Sequence, residues 1–300
     1  MNAIALGATL YVPVLRPNLI DIVRGKHHAL RSIVICLEDS LREDQVVDGI
    51  DAFVKNLAII ADLPERLTVY VRPRDISMMH SMLGLSNIHA INGFVMPKVD
   101  TGNIAHWLAP MTTNEHCFMP TIEGPEAFDR RALEQLCRQL EPFSDRVTAI
   151  RTGGNDILNV LGVRRSKYRT AYDGPLGNVI RDLVSTFIPA GFAVSAPVLE
   201  HYSSLDLLRE EVEQDIEHGL LTKTAIHPSQ VEVIHGCFQP SAAELCEARS
   251  ILDVNARAVF ASGGSMCEPA THRRWAGTVI ERAHHFGVRQ DDNLRAVMVA

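Results

Sequence analysis

The sequence lacks the patterns that mark several specialised classes of protein. Its six cysteines include no CxxC pair and its histidines form no HExxH motif, which argues against a zinc site or a disulfide framework. No apolar run approaches the roughly 18 residues that a membrane-spanning helix needs. What remains is ordinary globular usage, with 46% hydrophobic and 22% charged residues over 300 positions.

Positive charge is in deficit, with 29 Lys and Arg against 36 Asp and Glu and a net charge of −7. This balance argues against a general binder of nucleic acid or of anionic membranes. The first apolar segment has no basic leader before it, which indicates a strand and not a secretory signal. We therefore expect a soluble, cytoplasmic protein with neither nucleic-acid nor membrane partners.

Short apolar runs recur along the chain, and most end in a polar or charged residue. They cover residues 8–14, 32–37, 67–71, 93–96, 116–122, 147–150, 192–197 and 223–226. Near-continuous apolar runs of this length are typical of strands buried on both faces of a parallel sheet.

Helical spacing separates these runs. Leu208, Val212 and Ile216 recur every four residues, and the glutamates around them, Glu211 among them, are predicted to face away from the core. Phe128, Ala132, Leu136 and Leu140 repeat with the same spacing. Alternating strands and helices predict βαβ units, and about eight of them fit an α/β TIM barrel. An open doubly wound sheet is the rival, but no GxGxxG motif follows the first run.

The C-terminal part has only helical patterns, so we predict a barrel domain at 1–238 and a helical extension at 239–300. Residues 241–244 (SAAE) resemble a capping box, which predicts a helix running to about Phe260. The SGGS segment at 262–265 is interpreted as a flexible break before a second helix. Such an extension is a candidate lid or subunit contact.

Charged residues at the predicted strand ends would meet at one mouth of the barrel, where TIM-barrel active sites lie. They are Glu38, Asp39, Arg72, Lys98, Glu123, Asp156 and His227. Two carboxylates on consecutive strands, Glu123 and Asp156, repel unless a cation lies between them, and Mg²⁺ takes one or two carboxylates. The alternatives are a carboxylate at a helix N-terminus for Glu123 and an N-cap for Asp156.

Several of these residues have two interpretations. Arg72 can grip a substrate carboxylate with two hydrogen bonds, or it can pair with Glu38 or Asp39. Lys98 can form a Schiff base in an apolar pocket, or it can pair with a carboxylate. His227 is a candidate general base or a hydrogen-bonding structural residue.

Seven short motifs, in this order, resemble the HpcH/HpaI aldolase and citrate lyase beta-subunit superfamily. They are Val12-Pro13 with Arg16-Pro17, Leu37-Glu38-Asp39-Ser40, Val71-Arg72, Met96-Pro97-Lys98, Ile122-Glu123, Gly153-Gly154-Asn155-Asp156 and Ile226-His227-Pro228-Ser229-Gln230. The resemblance implies a Mg²⁺-dependent carbon–carbon lyase on a TIM barrel that assembles as a trimer or hexamer.

By this resemblance, Glu123 and Asp156 are the Mg²⁺ ligands and Arg72 binds the substrate carboxylate. Glu38 and Asp39 support Arg72 and the waters of the metal. Further substrate contacts are assigned to Arg16, Gly154 and Asn155, the glycine because it lets an anionic group approach the backbone. Glu268 takes the place of an acid that closes over the site of a neighbouring subunit.

The sequence departs from the family pattern at three places that bear on the substrate. Val14 replaces a glycine whose turn accommodates the phosphates of coenzyme A, Pro73 replaces an asparagine, and Glu200 stands near the place of an aspartate. We therefore expect a divergent lyase or aldolase that acts on an oxo- or hydroxy-acid through a metal-stabilised enolate. A Schiff-base aldolase using Lys98, or a non-catalytic scaffold that binds a nucleotide or coenzyme A, remains an alternative.

Overall fold

The computed structural model describes residues 2–290, and most of them form a parallel barrel. Its eight strands are β1 (Ala8–Pro13), β2 (Ser32–Cys36), β3 (Thr68–Arg72), β4 (Gly93–Met96), β5 (Cys117–Ile122), β6 (Ile150–Thr152), β7 (Val194–Ser195) and β8 (Lys223–Ala225). Each of β2 to β7 pairs with the strand before it, and β8 pairs with β1.

A bridge between Ala196 and Lys223 closes the circle between β7 and β8. The amide of Ala196 donates to the carbonyl of Thr222 at 2.8 Å, and the amide of Thr224 donates to the carbonyl of Ala196 at 3.2 Å. The prediction of a TIM barrel is confirmed.

The barrel interior is packed by alternate residues of the strands. Val34, Tyr70, Val95, Met119 and Ala149 form one buried layer, which Ala3 and Leu6 cover. Since side chains alternate along a strand, residues two positions further on form the next layer towards the carboxyl ends. That layer is where the polar side chains begin.

Within the described residues of the barrel unit, eight helices connect the strands and a ninth comes directly after β8, with short 3₁₀ turns between them. The helices are α1 (Leu19–Val23), α2 (Val46–Ala61), α3 (Ile76–Leu83), α4 (Ile104–Leu108), α5 (Arg130–Leu140), α6 (Gly154–Val160), α7 (Pro175–Phe187), α8 (Leu205–Glu217) and α9 (Pro228–Phe238). None of the helices in residues 2–290 is long and apolar enough to cross a membrane.

Helix α8 differs from the prediction, because Glu211 is fully buried where the spacing placed it on the exposed side. The buried Lys223 Nζ lies 3.0 Å from Glu211 Oε1 and 2.8 Å from Asp215 Oδ2, and Arg165 pairs with the other oxygen of Glu211. Tyr172 Oη donates to Asp215 at 2.7 Å. We call these five residues the buried charge cluster. The cluster links β8, α8 and the segment before α7. Its charged side chains are buried, so each of them depends on the others for a partner.

A compact unit ends at Ile234 and a second begins at His235, near the predicted boundary at residue 238. The second unit contains α10 (Ala242–Leu252), the strands β9 (Phe260–Ser262) and β10 (Ser265–Cys267), and α11 (Pro269–Phe286). Its small core is formed by Ala248, Ile251, Cys267, Ala276 and Val279. Residues 291–300 of the predicted extension lie outside the described residues.

The predicted C-terminal helices are present in the second unit, but the predictions for the end of the first helix and for the segment between the two helices were wrong. The capping box is present, with Ser241 Oγ accepting from the amide of Glu244, but α10 ends at Leu252 and not near Phe260. The predicted flexible break is a hairpin whose two turn residues, Gly263 and Gly264, have φ values of +56° and +84°. Two successive residues with positive φ make the tight turn that two-residue hairpins prefer, and glycine adopts it without strain.

Candidate active site

A cavity of about 290 Å³ lies at the carboxyl ends of the barrel strands. Its walls contain Tyr11, Asp39, Arg72, Thr121, Glu123, Arg151, Thr152, Gly153, Gly154, Asn155, Asp156, Val198, Thr224 and Ile226. Of the predicted site residues, six line this cavity: Asp39, Arg72, Glu123, Gly154, Asn155 and Asp156. A polar cavity in this position is where a TIM barrel holds its substrate.

Glu123 follows β5 and is 3% exposed. Its Oε1 accepts a hydrogen bond from the amide of Lys98 at 2.7 Å. Lys98 has a φ of +51°, the one non-glycine residue with positive φ in the described chain. A left-handed backbone costs energy for a lysine, so the loop after β4 stores strain while it directs an amide at the carboxylate.

Asp156 lies in the first turn of α6, so it is not the N-cap that one interpretation suggested; that position is Gly153. A Cβ atom at Gly153 would overlap the side chain of Glu123, so only glycine lets β6 pass so close to it. Burial and then the charge of Asp156 raise the pKa of Glu123 to about 8. The charge of Asp156 therefore disfavours ionisation of Glu123 in the cavity that both residues line.

Neither carboxylate has a cationic partner within ion-pair distance among residues 2–290. Glu123 accepts the one amide of Lys98, and no hydrogen bond to the Asp156 carboxylate is present in the same stretch. This stretch also holds no group of three or more His, Cys, Asp and Glu side chains arranged to hold a metal. Two carboxyl groups that lack an ion-pair partner and offer hard oxygen atoms match an ion such as Mg²⁺, which keeps several waters, better than a zinc site.

Arg72 ends β3 and pairs with both acids that follow β2. Its Nη1 lies 2.9 Å from Glu38 Oε2, and its Nη2 lies 2.9 Å from Asp39 Oδ2. Its Nε and Nη2 also lie 3.3 Å from Cys36 Sγ. The two carboxylates orient the guanidinium and neutralise it, while the same side chain lines the cavity.

Lys98 is an ion-pair partner in this structure. Its Nζ lies 2.7 Å from Glu38 Oε1, its side chain is 60% exposed, and it is not among the residues that line the cavity. The hydrogen bond to Glu38 raises the pKa of Lys98. A Schiff base requires a neutral amine in a desolvated pocket, and these contacts favour the charged form.

Other predicted residues lie elsewhere. Arg16 is exposed in the loop after β1, where its Nε donates to Asn18 at 3.0 Å, and it does not line the cavity. Val14 is buried near Gly49 of α2. Glu200 pairs with Arg164 at 2.8 Å.

His227 has a structural role here. Its Nδ1 lies 2.7 Å from Ser229 Oγ and accepts the Ser229 amide at 3.2 Å. Its ring stacks on Tyr202 with the centroids 4.8 Å apart.

Glu268 belongs to the second unit, where it precedes α11 and accepts a hydrogen bond from Thr271 Oγ1 at 3.1 Å.

Sequence reasoning missed the interior of the cavity. Arg151 and Thr121 face each other in register on β6 and β5, and Tyr11 and Thr224 complete the same wall. Arg151 is the largest fully buried side chain of the barrel unit. The signal in the sequence was an arginine two positions after Ala149, on the inward face of an otherwise apolar strand.

Comparisons with known proteins identify the family of this chain. The family model of carbon–carbon bond lyases of the TIM-barrel fold matches residues 1–288. The chain belongs to this family. Its resemblance to the citrate lyase beta-subunit superfamily is thereby confirmed, and the cavity described above lies where a TIM-barrel lyase has its active site.

The relatives of this chain have names that describe different activities. It is 31% identical over 245 residues to a (3S)-malyl-CoA thioesterase of Cereibacter sphaeroides, with 79% of each chain covered. It is 30% identical over 156 residues to a citrate lyase subunit beta-like protein of Mycobacterium tuberculosis, covering 49% of this chain and 55% of that protein.

Two solved structures share the fold of this chain. CitE of M. tuberculosis, in complex with magnesium, acetoacetate and coenzyme A, superposes with a TM-score of 0.68 at 22% identity, covering 93% of this chain and 98% of that one. The citrate lyase beta subunit of the same organism, with oxaloacetate and magnesium, gives 0.60 at 21% identity, covering 80% and 100%.

Proposed function

We propose that the protein is a Mg²⁺-dependent carbon–carbon lyase or aldolase that acts on an oxo- or hydroxy-acid. The observation that carries the proposal is the pair Glu123 and Asp156, two carboxylates in one cavity that form no ion pair with a cationic side chain of residues 2–290. Holding two such groups together costs free energy unless a ligand neutralises them. Family membership and the magnesium and oxo-acids bound by the neighbouring structures support the same reading.

Glu123 and Asp156 would hold the ion, and the amide of Lys98 and the glycine at 153 would fix the position of Glu123. When bound, Mg²⁺ would act as a Lewis acid that stabilises the negative charge developing on the oxo-acid as the carbon–carbon bond breaks. Arg72 would bind and orient the substrate carboxylate. Glu38 and Asp39 would hold its guanidinium in place, which reduces the freedom lost on substrate binding.

Gly154 and Asn155 would contact the substrate from the wall of the cavity, and Arg16 would contact an anionic tail above it. We further propose that the protein is a homo-oligomer, a trimer or hexamer, in which Glu268 of one subunit acts at the site of a neighbour. A coenzyme A thioester remains one candidate form of the substrate, since a named relative acts on malyl-CoA and a neighbouring structure binds coenzyme A.

Removal of divalent ions is the test of this function. When a chelator removes the divalent ions, we expect cleavage of the oxo-acid substrate to stop. We also expect the melting temperature to fall below that of the Mg²⁺-bound protein. Mg²⁺ should restore both, since an ion that binds only the folded state stabilises it by mass action. Full activity after exhaustive chelation would disprove the metal-dependent mechanism. The alternative of a non-catalytic scaffold would be favoured by two results together. The protein would show no activity, and its Glu123→Ala and Asp156→Ala variants would keep its biological role.

The Schiff-base alternative has a separate test, borohydride reduction of the protein in the presence of pyruvate, followed by mass measurement. We expect no adduct at Lys98, because its amine is protonated and paired with Glu38. A Lys98→Ala protein serves as the control for labelling elsewhere. An adduct that appears in the wild-type protein and is absent from this variant would instead establish the Schiff base.

A further inference from the structure

Arg151 is a buried cation without a carboxylate partner in the described part of the chain. Its residue is 1% exposed, yet it lines the cavity. Its Nη2 donates to Thr224 Oγ1 at 2.6 Å, and its Nη1 lies 3.5 Å from Met119 Sδ. The guanidinium also lies 5.2 Å from the ring centroid of Tyr11.

The other arginine of the cavity, Arg72, differs from Arg151 because it has carboxylate partners. Arg72 lies 5.4 Å from the same centroid, and two carboxylates neutralise it. A hydroxyl, a thioether and an aromatic ring do not neutralise Arg151. A buried charge is normally paired, so its counter-ion is expected to come from the ligand.

Two buried hydroxyls on the same two strands, β5 and β6, also lack partners. Thr121 Oγ1 and Thr152 Oγ1 are inaccessible to solvent and make no hydrogen bond with residues 2–290. Both residues line the cavity, and Thr121 is the register partner of Arg151. Buried polar atoms in a folded protein almost always have a partner, so these atoms point to a polar ligand group.

We propose that Arg151 and Thr121 form a subsite for a second carboxylate of the substrate. The inference rests on the proposed function and narrows it to short dicarboxylic oxo- or hydroxy-acids. Glu123 lies two residues beyond Thr121 on the same inward face, which is about 6–7 Å along the strand. A dicarboxylate of four or five carbons spans this depth, with one end at the mouth and the other at Arg151.

Calorimetric titration with pyruvate and oxaloacetate, in the presence of Mg²⁺, tests the subsite, because the two probes differ by one carboxylate. We expect the wild-type protein to bind oxaloacetate about 10–100-fold more tightly, since hydrogen bonds between charged groups are strong where water is excluded. Arg151→Met should abolish that difference and change pyruvate binding by less than about threefold. Arg42→Met, which removes an exposed arginine paired with Asp44, is the control.

Folding of the variant does not obscure the result. Methionine replaces an unpaired buried cation by an apolar chain, so its melting temperature should not fall. Arg151→Lys, which keeps the charge and loses the planar fork, should retain part of the preference. A preference for oxaloacetate that survives in Arg151→Met overturns the subsite.

The outcomes separate this inference from the proposed function. Equal, Mg²⁺-dependent affinities for the two probes in the wild-type protein would overturn the subsite and leave the proposed function standing. Oxaloacetate binding that needs Arg151 but not Mg²⁺ would support the subsite and overturn the proposed function. Binding of neither probe would overturn both.

Discussion

Replacing Lys223 with methionine is expected to lower the free energy of unfolding by about 3–5 kcal/mol. Lys223 is fully buried, and it is the shared partner of Glu211 and Asp215 on α8. Burial lowers the pKa of Lys223, and the charge of Asp215 and its hydrogen bond to the lysine oppose this shift. Without the lysine, Asp215 retains only Tyr172 among the partners described, and two acids repel in a dry environment.

The same helix offers a matched control for this loss. Arg209 and Asp206 lie 2.8 Å apart on α8, and their side chains are 51% and 101% exposed. Arg209→Met removes the same charge from the same helix, but an exposed pair contributes at most about 1 kcal/mol. Chemical denaturation of the two variants gives the comparison. Equal losses of stability in Lys223→Met and Arg209→Met would contradict a structural role for the buried charge cluster.

Replacing Gly153 with alanine is expected to weaken Mg²⁺ binding about 10–100-fold, as other changes that displace a metal ligand do. The φ of Gly153 is −82°, which alanine adopts without strain, so the effect comes from the added methyl group alone. That group would overlap the Glu123 side chain and move its carboxylate away from Asp156. Titration of the melting temperature with Mg²⁺ measures the change.

Gly174→Ala is the control for this substitution. Gly174 precedes α7 as Gly153 precedes α6, but a Cβ atom there would meet nothing within 4 Å. Glu123→Gln supplies the reference for complete loss of one ligand. If Gly153→Ala and Gly174→Ala bind Mg²⁺ equally well, then Glu123 is not part of the metal site, and the proposed function loses its main support.

The strand-end residues were accessible from the sequence because a parallel barrel imposes a simple rule. Every buried strand ends at the same mouth, so a charged residue after an apolar run can be placed without coordinates. Arg72, Glu123 and Asp156 follow such runs and line one cavity. The rule does not predict ion-pair partners. The sequence therefore left open whether Arg72 pairs with Glu38 or Asp39, and in the structure it pairs with both.

The rule also failed for charged residues that lie within a helix or a strand. Glu211 was placed on the exposed side of α8 because glutamate is rarely buried alone, and the partners that make burial tolerable are distant in sequence. Arg165 is 46 residues away from it, and Lys223 is 12. Arg151 was passed over for the same reason, since its neighbours Tyr11 and Thr224 lie on β1 and β8, which approach β6 only when the barrel closes.

The sequence by itself determined the α/β barrel, because the period of its apolar runs and the residues that end them are local properties. The same local pattern also predicted that Arg72, Glu123 and Asp156 lie at the mouth. Tertiary structure alone decided which charges are neutralised, since that depends on distances between residues far apart in the chain. The distinction between Arg72, held by two acids, and Arg151, held by none, exists only once the barrel has closed.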